Sequence, residues 1–207
     1  MTDNNKPSNS PKKFTTSSAN DDARARYITG QPPRISPLPI PKRSERQQQL
    51  LDEMGMIVVD GIRKERTDKA ALEIMLHHEE LYIAHIALAQ KFLSDGEMSI
   101  RDRELAILRI AWLSQAPFEW GAHVNVARRN GVSSEEIARV IEGSAAVGWE
   151  TKDEALIRTM EELHFDSMVT DETWQALQRF YNEKQLIELI ILAGQYKTVA
   201  YYQNALR

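Results

Sequence analysis

The stretch Ser99-Ile100-Arg101-Asp102-Arg103-Glu104-Leu105-Ala106-Ile107-Leu108-Arg109-Ile110-Ala111-Trp112-Leu113 decides the reading of the fold. Ser99 is a favourable helix N-cap, and Asp102 falls in the first turn, where the helix dipole favours an anion. Leu105, Ala106, Leu108, Ile110, Ala111 and Leu113 supply the buried positions of one helix. Downstream, Pro117 opens a second helix, since proline suits the first helical position. Gly131 ends it as a left-handed cap.

The same periodicity runs outward in both directions. Gln47 to about Ile62 has apolar residues at 50, 51, 54, 57 and 58, and Asp68 to Leu93 repeats the 3.6-residue pattern with a break near His77-His78. Ser133-x-x-Glu136 and Thr151-x-x-Glu154 have the form of capping boxes, each marking a helix start. Thr170 starts a further helix, and Asn182 caps the last, which runs to about Leu206. No segment alternates apolar and polar residues as a half-buried strand would, so the fold class is all-α.

Composition bounds the rest. The chain has 207 residues, 42% hydrophobic and 27% charged, with a mean hydropathy of -0.46, as expected of a soluble chain of about one domain. No apolar run approaches the roughly 18 residues that span a membrane, and the N-terminus is polar, so the expectation is a cytoplasmic protein with no membrane partner. The absence of cysteine removes disulfides, thiolate nucleophiles and zinc–thiolate sites together.

The chain divides near residue 45. Seven of eight prolines fall between Pro7 and Pro41, and the first 20 residues are mostly Asn, Ser, Thr, Lys and Pro, too polar to order themselves. Residues 1–30 therefore read as a mobile tail. Residues 31–41 favour extended polyproline conformation and carry Ile35, Leu38 and Ile40, which suits a strap across the body or a neighbouring subunit. Together, 1–43 form the tail and strap, and 44–207 the helical domain. Eight Lys/Arg against three Asp in 1–43 make a basic arm on an acidic body. Those charges are scattered and not interleaved with aromatics, so no nucleic-acid partner is expected.

The chemistry concentrates in Pro117-Phe118-Glu119-Trp120-Gly121-Ala122-His123. Helical pitch brings i and i+4 together, so Glu119 and His123 share one face. Histidine titrates nearest to neutrality, and an adjacent carboxylate fixes its tautomer and raises its basicity. Glu104, on the preceding antiparallel helix, can complete a relay. Two ionised glutamates beside a neutral imidazole would be strained, which points to one protonated acid or an imidazolium. The competing reading is an ordinary solvated Glu/His pair. His77-His78 followed by Glu79-Glu80 does not make a metal site, because adjacent helical residues diverge by about 100°. His85 is two turns from His77, and His164 suits a capping role at a helix end. Neither metal nor cofactor is expected.

Arg103-Glu104-Leu105-Ala106-Ile107-Leu108, Glu119-Trp120-x-x-His123 and Asn130-Gly131-Val132-Ser133-x-Glu135-Glu136-Ile137 together resemble the carboxymuconolactone decarboxylase family. Its superfamily also holds the alkylhydroperoxidase-D-like proteins. The resemblance continues through Leu156 to His164, Val169-x-Asp171-x-x-Trp174 and Gly194-Gln195-Tyr196, covering roughly 68–207. It implies an all-helical fold assembled as a trimer or hexamer, with the active site on the helix carrying His123. The peroxidase branch has a cysteine pair where this chain has Ala116 and Glu119, so thiol peroxidase chemistry is not expected. The decarboxylase branch resembles this chain in placing a glutamate four residues before the histidine.

The expected function is a cofactor-free acid/base enzyme acting on a small carboxylated lactone or a related enolisable compound. His123, Glu119 and Glu104 are its catalytic candidates, and Trp120, Trp112 and Tyr196 the substrate-contacting ones. The competing reading makes Trp120 and Trp112 core aromatics and Tyr196 a hydrogen-bonded core or interface tyrosine. The alternatives are dehydration, isomerisation or cyclisation of a larger metabolite, and a non-catalytic oligomeric binding protein. Homo-oligomerisation is further expected because Leu186, Ile187, Leu189, Ile190, Ile191 and Leu192 surround the last helix with apolar surface.

Overall fold

The computed structural model describes residues 18–54, 56–59, 62–65 and 69–206. Ten α-helices appear among them. They are α1 Ser18–Thr29, α2 Glu45–Met54, α3 Lys69–Met75, α4 Glu79–Asp95, α5 Ile100–Leu113, α6 Pro117–Arg129, α7 Ser134–Glu142, α8 Thr151–Asp166, α9 Asp171–Leu177 and α10 Glu183–Leu206. The expected helix over Gln47 to Ile62 is corrected. α2 stops at Met54, and β1 (Met56–Val59) pairs antiparallel with β2 (Ile62–Glu65), Met56 opposite Glu65 and Val59 opposite Ile62. Ile57, Val58 and Val59 are β-branched, which favours a pleated strand over a helix. Asp60-Gly61 between the strands is a strong hairpin signal. The all-α class stands, with this hairpin as an appendage.

The N-terminal expectation is corrected in part. Residues 1–17 lie outside the described residues, but 18–29 form a helix where a mobile tail is expected, and Ile28 is buried. Alanine at 19, 23 and 25 supplies helix propensity. Residues 31–43 lie across the chain's own body. The Arg34 amide donates to Leu206 O (2.8 Å) and the Leu38 amide to Glu73 O (3.1 Å), while Arg43 Nη2 meets Glu73 Oε1 at 2.9 Å. Leu38 is buried in a small cluster with Leu51, Leu72, Leu76 and Tyr82, whereas Ile35 and Ile40 stay exposed.

α5 is the centre of the bundle. α6, α7, α8 and α10 pack around it, and its Leu105, Ala106, Ile107, Leu108 and Ile110 belong to the main core. Full burial of each Leu or Ile contributes roughly 1.5–3 kcal/mol. Asp102, Arg103, Glu104 and Arg109 of this helix are also buried, and each has partners. Arg109 donates to Val140 O and Ile141 O and meets Glu161 Oε1 at 2.6 Å, while Glu161 accepts from the Ser144 amide and hydroxyl. Gly143 lies against this pair with φ +101°, where a Cβ would collide with Glu161 Oε1 and the Arg109 guanidinium, so a side chain there would be strained. Asp102 accepts from Lys152 Nζ (2.9 Å) and the Tyr181 hydroxyl (3.1 Å).

The caps at Ser99, Ser133 and Thr170 form as the sequence predicts, and Asn182 and Gln185 cap each other reciprocally. Thr151 departs from expectation. It is the first helical residue, and Glu150 stands at the N-cap without a side-chain bond. The break at His77-His78 is real: a short 3-10 turn, Leu76–His78, separates α3 from α4.

Candidate active site

Three residues, Ser114, Gln115 and Ala116, join α5 to α6. Short links make neighbouring helices antiparallel, so Glu104 near the start of α5 faces the body of α6. On α6, Glu119 and His123 are four residues apart and both buried. His123 Nδ1 lies 2.6 Å from Glu104 Oε2, and Nε2 lies 3.0 Å from Glu119 Oε1. The three sequence-predicted catalytic residues therefore converge, with the imidazole held between two carboxylates.

The second layer of contacts fixes the charge. Arg103 Nε and Nη2 donate to Glu104 Oε1 at 3.0 and 2.9 Å, and Nη1 donates to Phe92 O and Leu93 O in the last turn of α4. Gln203 Nε2, from α10, donates to Glu119 Oε2 at 2.9 Å. Each glutamate thus accepts from another donor while facing one ring nitrogen, which suits a doubly protonated imidazolium. Burial works against that charge, but hydrogen bonds to Glu104 and then Glu119 outweigh it and raise the His123 pKa to about 9.

Stability should register this proton. The folded pKa of about 9 lies above the ordinary value of 6.5, so the contribution is complete below about pH 6.5 and is lost as pH rises through 9. Thermal melts between pH 6 and 9.5 should show wild-type protein losing stability more steeply than His123→Gln. Equal slopes would contradict the assignment.

A cleft of about 150 Å³ opens beside the pair. Glu119, His123, Tyr196 and Gln203 line it, together with His85 from α4 and Gln195 and Tyr202 from α10. Glu104 is fully buried and lies outside this lining. Tyr196 stands edge-on to the His123 ring, centroids 5.1 Å apart at 90°. Burial, then the charges of Glu119 and Glu104, push its phenol well above the usual range, so Tyr196 is a neutral wall. Burial lowers the His85 pKa despite the attraction of Glu119.

Trp112 and Trp120, expected as substrate contacts, do not line the cleft. Their rings meet each other at 5.2 Å, and Trp120 packs against the core. One residue along a helix rotates direction by about 100°, so Trp120 turns away from the face that carries Glu119. Sequence reasoning missed Gln203, Tyr202 and the role of His85, and it used Arg103 and Gln195 only as parts of motifs. Their common signal is weak: polar residues inside the apolar pattern of α4 and α10. Among the described residues, no group of three or more His, Asp or Glu side chains could hold a metal ion, and no helix is long and apolar enough to cross a membrane.

These features define an all-helical domain in which a buried imidazole is held between two carboxylates beside a cleft. Residues 79–162 match the model of the carboxymuconolactone decarboxylase family. Solved structures of the same fold include an alkylhydroperoxidase AhpD core, an uncharacterized peroxidase-related protein from Ralstonia eutropha. It has a TM-score of 0.66 at 15% identity, covering 86% of this chain and 93% of that one. An uncharacterized peroxidase-related protein from Silicibacter sp. gives 0.65 at 12%, covering 85% and 92%. The debrominase Bmp8, in complex with 2,3,4-tribromopyrrole, gives 0.62 at 12%, covering 85% and 90%. At these identities the likeness is one of fold. None of the curated proteins matches the sequence.

Proposed function

We propose that this protein is a cofactor-independent acid/base enzyme acting on a small enolisable compound, with His123 and Glu119 as the catalytic residues. The observation that carries this reading is the imidazole bridged between Glu104 and Glu119 in the lining of the cleft. An imidazolium beside a carboxylate is a paired acid and base. Glu119 takes the proton from carbon next to a carbonyl, while the His123 Nε2–H turns from Glu119 to the oxygen where negative charge develops. The same ring returns a proton to carbon when the enolate forms by loss of carbon dioxide. Decarboxylation of a carboxylated lactone, isomerisation and dehydration share that enolate, and the pair serves each of them.

Glu104 acts differently. It is enclosed and held by Arg103, so it positions and charges the imidazole and does not touch substrate. Glu119, which the sequence reading makes the group that orients the ring, takes the role of base in this proposal because it is the glutamate that lines the cleft.

The test is hydrogen–deuterium exchange in heavy water with a panel of cyclic ketones and lactones, read by NMR at the carbon next to the carbonyl. Carboxylated lactones are assayed in parallel for carbon dioxide. Exchange or decarboxylation at least about 100-fold above buffer supports the reading, at the low end of general acid–base catalysis. Background rates across the panel would favour a binding protein.

We also propose that the protein works as a homo-oligomer, as a trimer or hexamer. Ile187, Ile191 and Tyr201 are 62%, 48% and 62% exposed, and spacings of four and ten residues put them on one face of α10. Such a stripe on a 24-residue helix suits an interface. Sedimentation of a 23.7 kDa monomer at micromolar concentration would contradict it.

A further inference from the structure

The cleft carries information about what it admits. A dry cavity of about 150 Å³ holds one six-membered ring, and the cleft here has that volume. Leu72, Ile86, Ala89 and Val199 give it apolar walls, which suit a compact ring.

Its electrostatics are one-sided. Glu53 and Glu119 line the cleft, with Glu104 directly behind. Two cations answer them, and both are engaged. Arg103 spends Nε and Nη2 on Glu104 and Nη1 on the α4 carbonyls. His123 directs one nitrogen to each glutamate. An entering carboxylate would meet like charge first and could gain a donor only by breaking an existing pair, while losing its own water.

Gln203 asks for the opposite kind of group. Its Nε2 is committed to Glu119 Oε2, and the reverse amide orientation would set oxygen against oxygen, so Oε1 is the free end. The residue is 6% exposed, and Oε1 is buried without a hydrogen-bond partner. Buried acceptors in that condition are uncommon and costly, and an arriving O–H relieves the cost. His85 offers a second polar contact from α4. Gln195 Nε2 lies 3.4 and 3.5 Å from its two ring nitrogens, too long to saturate them.

We propose that the cleft selects uncharged, single-ring compounds that donate a hydroxyl to Gln203 Oε1 and contact His85, and that it turns carboxylates away. This names the substrate class of the acid/base site and rests on the reading of the cleft as that site. Within the reactions available to an enolate, it favours hydroxylated ring ketones and neutral lactones over carboxylated ones.

Phenol, toluene and benzoate separate the contributions, since they share a ring and differ in hydroxyl and charge. Equilibrium titration of the wild-type protein at pH 7, followed by calorimetry and by the imidazole resonances of His85 and His123, should give phenol at least about tenfold tighter than toluene. Benzoate should be weaker than either. A site built around a hydrogen bond discriminates strongly against the ligand that lacks it. Gln203→Met keeps the side-chain length and should bring phenol within about threefold of toluene. Equal wild-type affinities for phenol and toluene, benzoate as the tightest ligand, or phenol binding that leaves both imidazole resonances unmoved would overturn the proposal. The wild-type ranking decides even if the variant does not fold. These probes bind without reacting, so the outcome is independent of the exchange assay. Turnover confined to carboxylated lactones would sink this selectivity and leave the acid/base reading standing.

Discussion

Replacing His123 by alanine is expected to lower the rate of exchange or decarboxylation by roughly two to four orders of magnitude, the usual worth of a positioned acid–base group. The imidazole is the one group facing both carboxylates through its two nitrogens. Its loss removes both the proton donor and the positive charge on which the developing oxyanion depends. Glutamine at the same position can still donate to one carboxylate, so His123→Gln controls for collapse of the site. Both variants should keep the wild-type oligomeric state. Turnover of His123→Ala within about threefold of wild type, on whichever substrate responds, would end the mechanism.

The second large effect concerns Glu104. Glu104→Leu leaves Arg103, whose side chain is 7% exposed, as a buried guanidinium with no carboxylate, and strips His123 of its closer partner. Breaking a buried ion pair on one side costs about 3–5 kcal/mol. At about 2–4 °C per kcal/mol for a chain of this size, the melting temperature should fall by roughly 6–20 °C. A loss under about 1 kcal/mol in denaturant titration would show that the pair is not held as described. Glu104→Gln isolates the functional part, because the amide fills the same space without the charge. The His123 pKa of about 9 should then fall, and the alkaline limb of the rate profile should move to lower pH. A role confined to packing would leave that limb in place.

Much of this architecture is local, and local patterns can be read from a sequence. Ser99, Ser133 and Thr170 cap their helices because the bonds they make lie within three residues. Glu119 and His123 meet because helical pitch alone brings i and i+4 together. The break before α4 and the burial of α5 follow equally from periodicity. Where two local preferences compete, the reading is less secure. Residues 56–59 have apolar spacing that continues the α2 helix, but their β-branched side chains favour the hairpin they form.

The chain itself thus determined the helical class, the main helices and the Glu119–His123 pair. Tertiary packing decided which glutamate lines the cleft and which is sealed behind the ring, since that depends on how α5 lies under α6. It also decided that Trp120 packs against the core, and that Gln203, 84 residues from Glu119, donates to its carboxylate. His85 reaches the same cleft from α4. Such meetings between helices carry no periodicity, because they are fixed by the packing of whole apolar faces and not by the spacing of residues within one turn.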